Sequence, residues 1–118
     1  NMQDFRKLLV WQKAHQLALR TYQITNDFPR DEVFGLRQMM RKTAIDIPGY
    51  IAEGCGKSND AEFQRSVNAA ISLSTKLEYY AIMALDLIFL ESDVHAAYEQ
   101  EIIEVRLMVG GLNRRLES

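Results

Sequence analysis

The sequence predicts an all-α fold, an antiparallel up-and-down four-helix bundle. Three observations lead there. Apolar residues recur at alternating steps of four and three through four separate segments, the spacing of a helix with one buried stripe. The links between segments are short, which sets successive helices side by side and antiparallel. No segment alternates like a strand over a useful length, and two prolines and six glycines are too few for a loop-rich β fold.

The first helix runs from Leu8 to Asp27. Val10, Ala14, Leu17, Thr21, Ile24 and Phe28 form its seam, Trp11, Ala18 and Tyr22 lie beside it, and Pro29 stops it. Arg30-Asp31-Glu32 opens the second helix, with acids suited to a first turn. Gly35 weakens that turn and permits a close helix approach. The stretch from Phe34 to Ser58 organises the chain, because Pro48-Gly49 interrupts it. Taken alone, that dipeptide ends a helix at Ile47. Yet Leu36, Met40, Thr43, Ile47, Tyr50 and Gly54 keep their phase through the proline, which favours a kinked, continuous helix ending at Gly54–Gly56 in a left-handed cap.

Asn59 with Glu62 three residues on reads as a capping box for the third helix. Phe63, Val67, Ala70, Ser74, Leu77, Ala81, Ala84 and Ile88 carry it to about Leu90, roughly 45 Å. Ser92-Asp93 caps the fourth, whose seam is Tyr98, Ile102, Val105, Val109, Leu112 and Leu116, with Gly110-Gly111 weakening its last turns. Residues 79–90 are apolar or Tyr except Asp86, so the third helix is apolar all round there. Two core faces inside one bundle or an interface between subunits would account for that, and the second is preferred. The run is too short to span a bilayer.

The 118 residues suffice for one domain, 1–118, with its own core. The lone Cys55 excludes an internal disulfide, and without a signal segment the cytoplasm is the expected compartment. Asn1 ahead of Met2 reads as a residue left by expression. The net charge of −2 is unevenly placed. Residues 1–76 carry 11 Lys and Arg against 8 Asp and Glu, a balance of +3, and residues 77–118 carry 3 against 8, a balance of −5. Only the first half suits an anionic partner.

The residues do not assemble a catalytic, metal or cofactor site. Gly56-Lys57-Ser58 ends like a phosphate-binding loop, but Ile51 stands where the motif needs glycine and a helix replaces the strand. His15 and His95 lack companions at ligand spacing. Cys55 near a helix end would be mildly reactive but has no base to make it a nucleophile. Capping accounts for Glu62, and solvation for Glu53. The constellation that remains is basic. Arg37 and Arg41 lie one turn apart with Lys42 adjacent, Arg30 lies two turns before Arg37, Lys57 and Arg65 follow the loop, and Lys13 and Arg20 share a face of the first helix. Lys13, Arg37, Arg41, Lys42 and Arg65 are therefore the candidate nucleic-acid-binding residues, gripping phosphates of RNA or DNA. The plainer reading of such a cluster is a solvated face.

Four pieces carry a resemblance: Val10-Trp11-Gln12-Lys13-Ala14; Phe28-Pro29 with Phe34-Gly35-Leu36; Ile47-Pro48 with Ile51-Ala52-Glu53-Gly54; and Glu62-Phe63 with Arg65. Together they resemble the bacterial four helix bundle protein family, first noted as products of intervening sequences in 23S rRNA genes. The resemblance implies a bundle that assembles into a cyclic homopentamer. It also implies similarity to the accessory protein of diversity-generating retroelements, which binds nucleic acid and a reverse transcriptase. It implies no reaction. The family pattern usually has Gln at Met39, Arg at Lys42, Ala at Thr43, Ser at Asp46, Asn at Tyr50, Gly-Ser at Ser72-Leu73 and Glu at Lys76. If those positions form a polar network in relatives, this chain has repacked it. Two readings of function stand: an oligomer binding nucleic acid or a ribonucleoprotein, and an interaction scaffold whose arginines pair between subunits.

Overall fold

The structure, a computed structural model, describes residues 3–117; Asn1, Met2 and Ser118 lie outside it, and with them the reading of Asn1. Four helices follow one another: α1 (Leu9–Ile24), α2 (Leu36–Cys55), α3 (Asp60–Asp86) and α4 (Ser92–Glu117). Each packs on its neighbour in sequence, α1 closes against α4, and the backbones of the diagonal pairs do not approach closely among the described residues. That is the up-and-down bundle, 43 × 23 × 20 Å. Its core follows the predicted seams, from Val10, Ala14 and Leu17 through Met40, Ile47 and Phe63 to Tyr98, Ile102 and Val109, except that Tyr50, expected in the seam of α2, is exposed and its neighbour Ile51 is buried instead.

A 3-10 turn, Phe5–Lys7, leads in, and the Asp4 carboxylate accepts the Arg6 N–H at its start. Trp11 meets Phe5 edge-on and stacks on His15, each pair of rings 5.0 Å apart. The first helix stops at Ile24 rather than Asp27. The Thr25 hydroxyl donates to the Thr21 carbonyl, and the chain turns so that Phe28 enters the core.

Arg30–Glu32 is not the start of the second helix but a separate 3-10 turn, and α2 begins at Leu36. Glu32 still serves that helix, because its carboxylate accepts the Leu36 N–H at 2.8 Å. A Cβ on Gly35 would stand 2.6 Å from Glu32 Oε1, so the glycine makes room for this cap and not for a neighbouring helix.

The second helix is continuous through Pro48, as the unbroken seam predicts. It ends at Cys55, and the Gly56 cap lies in the right-handed region, not the left-handed one expected. Gly54 has a different task. A Cβ there would lie 2.7 Å from a ring carbon of Phe63 and 3.2 Å from Ser66 Cβ, so the bare backbone lets α2 and α3 close on each other.

Asn59 Oδ1 accepts the Glu62 N–H at 2.9 Å, the expected opening of α3. The helix ends at Asp86, four residues short of the predicted Leu90. There the Phe89 N–H reaches the Ala84 carbonyl (2.8 Å) and the Ile88 N–H that of Leu85 (3.0 Å), the paired bonds of a left-handed helix cap. Ile88 takes the left-handed position, with φ at 63°. The spacing argument placed Ile88 in the seam; the cap turns it outward, and Phe89 packs on Phe28 instead. Of the apolar run, Tyr80, Ala81, Ala84 and Leu90 are buried, whereas Tyr79, Ile82, Leu87 and Ile88 are exposed in the lone chain. Gly110-Gly111 does not interrupt α4.

One polar tie crosses the core. Tyr98 is fully buried, and its hydroxyl lies 2.6 Å from Thr21 Oγ1. Thr21 donates its own proton to the Leu17 carbonyl, so Tyr98 is the donor. Burial pushes the Tyr98 phenol far above the usual tyrosine range, the polar contact with Thr21 partly opposing it. Among the described residues no helix is long and apolar enough to cross a membrane.

Candidate nucleic-acid interface

The five candidate cations fall in three places. Arg37, Arg41 and Lys42 come together. They rise from one flank of α2, where the chain arriving from α1 leaves a groove of about 460 Å³. Tyr22 of α1, Val33 and Phe34 of the link, and Gln38, Ile45 and Asp46 of α2 complete its walls. Helical spacing explains the cluster: positions 37, 41 and 45 repeat every turn, just off the buried stripe of Met40, Ala44 and Ile47.

Arg41 is held. Its Nε donates to Thr25 Oγ1 at 2.9 Å, another guanidinium nitrogen donates to the Tyr22 carbonyl at 3.1 Å, and its carbon sits 4.4 Å above the Tyr22 ring. Burial, and next the adjacent Arg37 charge, lower its affinity for a proton, while the Tyr22 side chain opposes them. An arginine stays charged under such shifts. No hydrogen bond or ion pair holds Arg37 among the described residues, so its planar fork is available to an oxyanion. Lys42 pairs with Asp46 at 3.0 Å, one turn on. A shallower hollow beyond Arg41, lined by Tyr22, Gln23 and Asn26, shares Tyr22 and Arg41 with the groove.

Arg65 lies apart, in a hollow of about 240 Å³ between α2 and α3 with Tyr50, Glu53, Lys57 and Glu62. Two carboxylates match its two cations, and Lys57 pairs with Glu53 at 3.9 Å. Lys13 is further removed. It meets Glu104 at 3.6 Å, and Arg20 meets Glu101 at 3.7 Å, so the basic stripe of α1 is answered by the acids of α4 within one chain. Arg106 and Glu78 form the corresponding pair between α4 and α3.

Residue spacing did not reveal the aromatic and apolar walls. Tyr22 stands beside a seam and Phe34 just before Gly35, and Phe34 is 88% exposed. An aromatic outside every helical stripe was the available signal. Cys55 is not mildly reactive: it is buried, and desolvation raises its thiol above the usual range, the Asp4 carboxylate adding to the effect. No group of three His, Cys, Asp or Glu side chains among the described residues could hold a metal ion.

A family model described as 23S rRNA-intervening sequence protein matches residues 6–111. Among solved structures, that of a protein of unknown function from the S23 ribosomal protein family of Bacteroides thetaiotaomicron is similar, with a TM-score of 0.80 at 15% identity. The match covers 89% of this chain and 98% of that one. At that identity the likeness concerns the fold alone. No curated protein matches the chain.

Proposed function

The chain belongs to the 23S rRNA-intervening sequence protein family, and from that premise we propose a non-enzymatic, one-domain homo-oligomer of the cytoplasm that takes up a strand of RNA or DNA in the groove between α1 and α2. The observation that carries this reading is the meeting of Arg37, Arg41 and Lys42 with Tyr22 and Phe34. Cations that track phosphates, interleaved with aromatic faces on which bases stack, are what binding of single strands requires. Arg41 supplies a charge whose position is already fixed, which lowers the ordering entropy of binding. Arg37 supplies the free fork for a phosphate. Lys42, shared with Asp46, contributes less.

Exposed Tyr79 and Ile82 on α3 and Leu107 on α4 are the apolar surface that assembly would cover. A ring, the pentamer that the resemblance implies, would repeat a weak groove around one polymer and raise its avidity. Lys13 and Arg65, each among carboxylates, stand in secondary positions in this reading.

Two measurements test it. Light scattering at micromolar concentration should show a species heavier than the 13.6 kDa chain. Filter binding with single-stranded RNA should show retention that falls as salt rises. An oligomer that retains no RNA at low salt leaves the scaffold reading. The pairs Lys13–Glu104 and Arg20–Glu101 lie within one chain, so they take the α1 face out of phosphate binding without supplying the pairs between subunits that the scaffold reading needs.

A further inference from the structure

The end of the bundle opposite the chain's Gly-rich loop is built from two links, residues 25–35 and residues 87–91. Up-and-down topology places both at one end, and Phe28 against Phe89, ring centroids 5.3 Å apart, fastens them together. Beneath that contact the end is closed by buried Phe28 and Leu90. The same two links carry Phe34, 88% exposed, and Ile88, 87% exposed, the two most exposed large apolar side chains among the described residues. Leu87 beside them is also exposed.

Ile88 is the informative residue. Its cap needs the left-handed backbone and the two N–H bonds to Ala84 and Leu85, and a glycine would supply both without crowding. A β-branched residue there is strained, and its side chain reaches solvent, so the fold gains nothing from it. Phe34 also lines the groove with Arg37, Arg41 and Lys42, but the charges carried by the two links and the helix ends beside Ile88 are one-sided. Asp27, Asp31, Asp86, Glu91 and Asp93 are exposed at this end against Arg30, and none of them is in an ion pair among the described residues.

We infer that this end is a docking surface for a cationic amphipathic segment of a partner protein. Its apolar side chains would settle on Ile88 and Leu87, and its Lys or Arg side chains would face Asp86, Glu91 and Asp93 beside them. The same carboxylates repel a phosphate backbone, so this surface and the groove select different partners. Phe34 lines the groove, and the test therefore turns on Ile88 and the acids.

The probe is a fluorescent synthetic peptide of Lys and Leu with its leucines at helical spacing, titrated with the full chain and followed by anisotropy. Ile88→Gly should weaken binding by about tenfold, the loss expected for an apolar anchor, while raising the thermal midpoint. Asp86→Asn together with Asp93→Asn should weaken it too and flatten its salt dependence. Ile88→Gly with a raised midpoint and unchanged affinity overturns the proposal. Equal affinity for a scrambled peptide of the same composition overturns it as well. So does self-association of the chain that Ile88→Gly abolishes while the peptide does not bind, since this end would then be a contact between copies.

Discussion

Two glycines of α2 make the packing account measurable, because the same substitution should act with opposite sign five residues apart. Glycine to alanine inside a helix gains about 1 kcal/mol of intrinsic propensity. At Gly49 nothing lies within 4 Å of the new Cβ, so that gain should appear undiminished. At Gly54 the new Cβ would stand 2.7 Å and 3.1 Å from two ring carbons of Phe63, which is 1% exposed and cannot swing away, and 3.2 Å from Ser66 Cβ. Overpacking of that kind costs about 1–3 kcal/mol. Gly54→Ala should therefore be about 1–3 kcal/mol less stable than Gly49→Ala, with a thermal midpoint lower by roughly 4 °C per kcal/mol. Denaturation of both variants at one chain concentration gives the comparison, since assembly would otherwise shift the midpoints. Equal stabilisation by the two substitutions would refute the claim that Gly54 sets the separation of α2 and α3.

Other outcomes follow from the core and the caps. Tyr98→Phe should cost about 1 kcal/mol, because it leaves Thr21 Oγ1 without the donor it accepts in the folded chain; urea unfolding reads this directly. Cys55 and Tyr98 both have folded pKa values raised by burial, so their contribution to stability is full below their unfolded values and is lost as pH rises toward the folded ones. Stability should thus fall above about pH 9 and more steeply above about pH 10, and a Cys55→Ala, Tyr98→Phe chain should lack that fall; an unchanged alkaline slope would contradict the assignment. Ile88→Gly should raise stability by about 1 kcal/mol through relief of the left-handed backbone, and a lowered midpoint would show that the isoleucine serves the fold after all.

The bundle was legible because its information is periodic. A seam such as Val10, Ala14, Leu17 and Thr21 identifies its helix, and the seam running through Pro48 was a better guide than the turn preference of Pro-Gly. The misplaced boundaries share one cause: periodicity continues past the point where a hydrogen bond ends the helix. Ile88 lies in phase with Ala84, yet the cap at residues 84–89 had already ended α3. Arg30–Glu32 carries first-turn acids, yet Glu32 caps α2 from outside because Gly35 breaks the backbone between them. The candidate site was half legible. Arg37, Arg41 and Lys42 are neighbours on one helix, so spacing alone grouped them. Lys13 could not be sorted the same way, since its partner Glu104 comes from the far end of the chain and meets it only after folding. Tyr22 and Phe34 become groove walls through the turn between α1 and α2, whose geometry no repeat encodes.

The most direct test of the groove is the salt dependence of RNA binding for the chain and for Arg37→Gln. Arg41 is unsuited to the purpose, since its replacement would also strip partners from Thr25 and the Tyr22 carbonyl. Arg37 has no such role, so its variant should keep the parent's mass in light scattering and its thermal midpoint. If Arg37 grips a phosphate, the variant binds more weakly whatever the RNA sequence, and the slope of log affinity against log salt falls by roughly one unit. An Arg37→Gln chain of unchanged mass that binds RNA with the parent's affinity and slope would contradict the account.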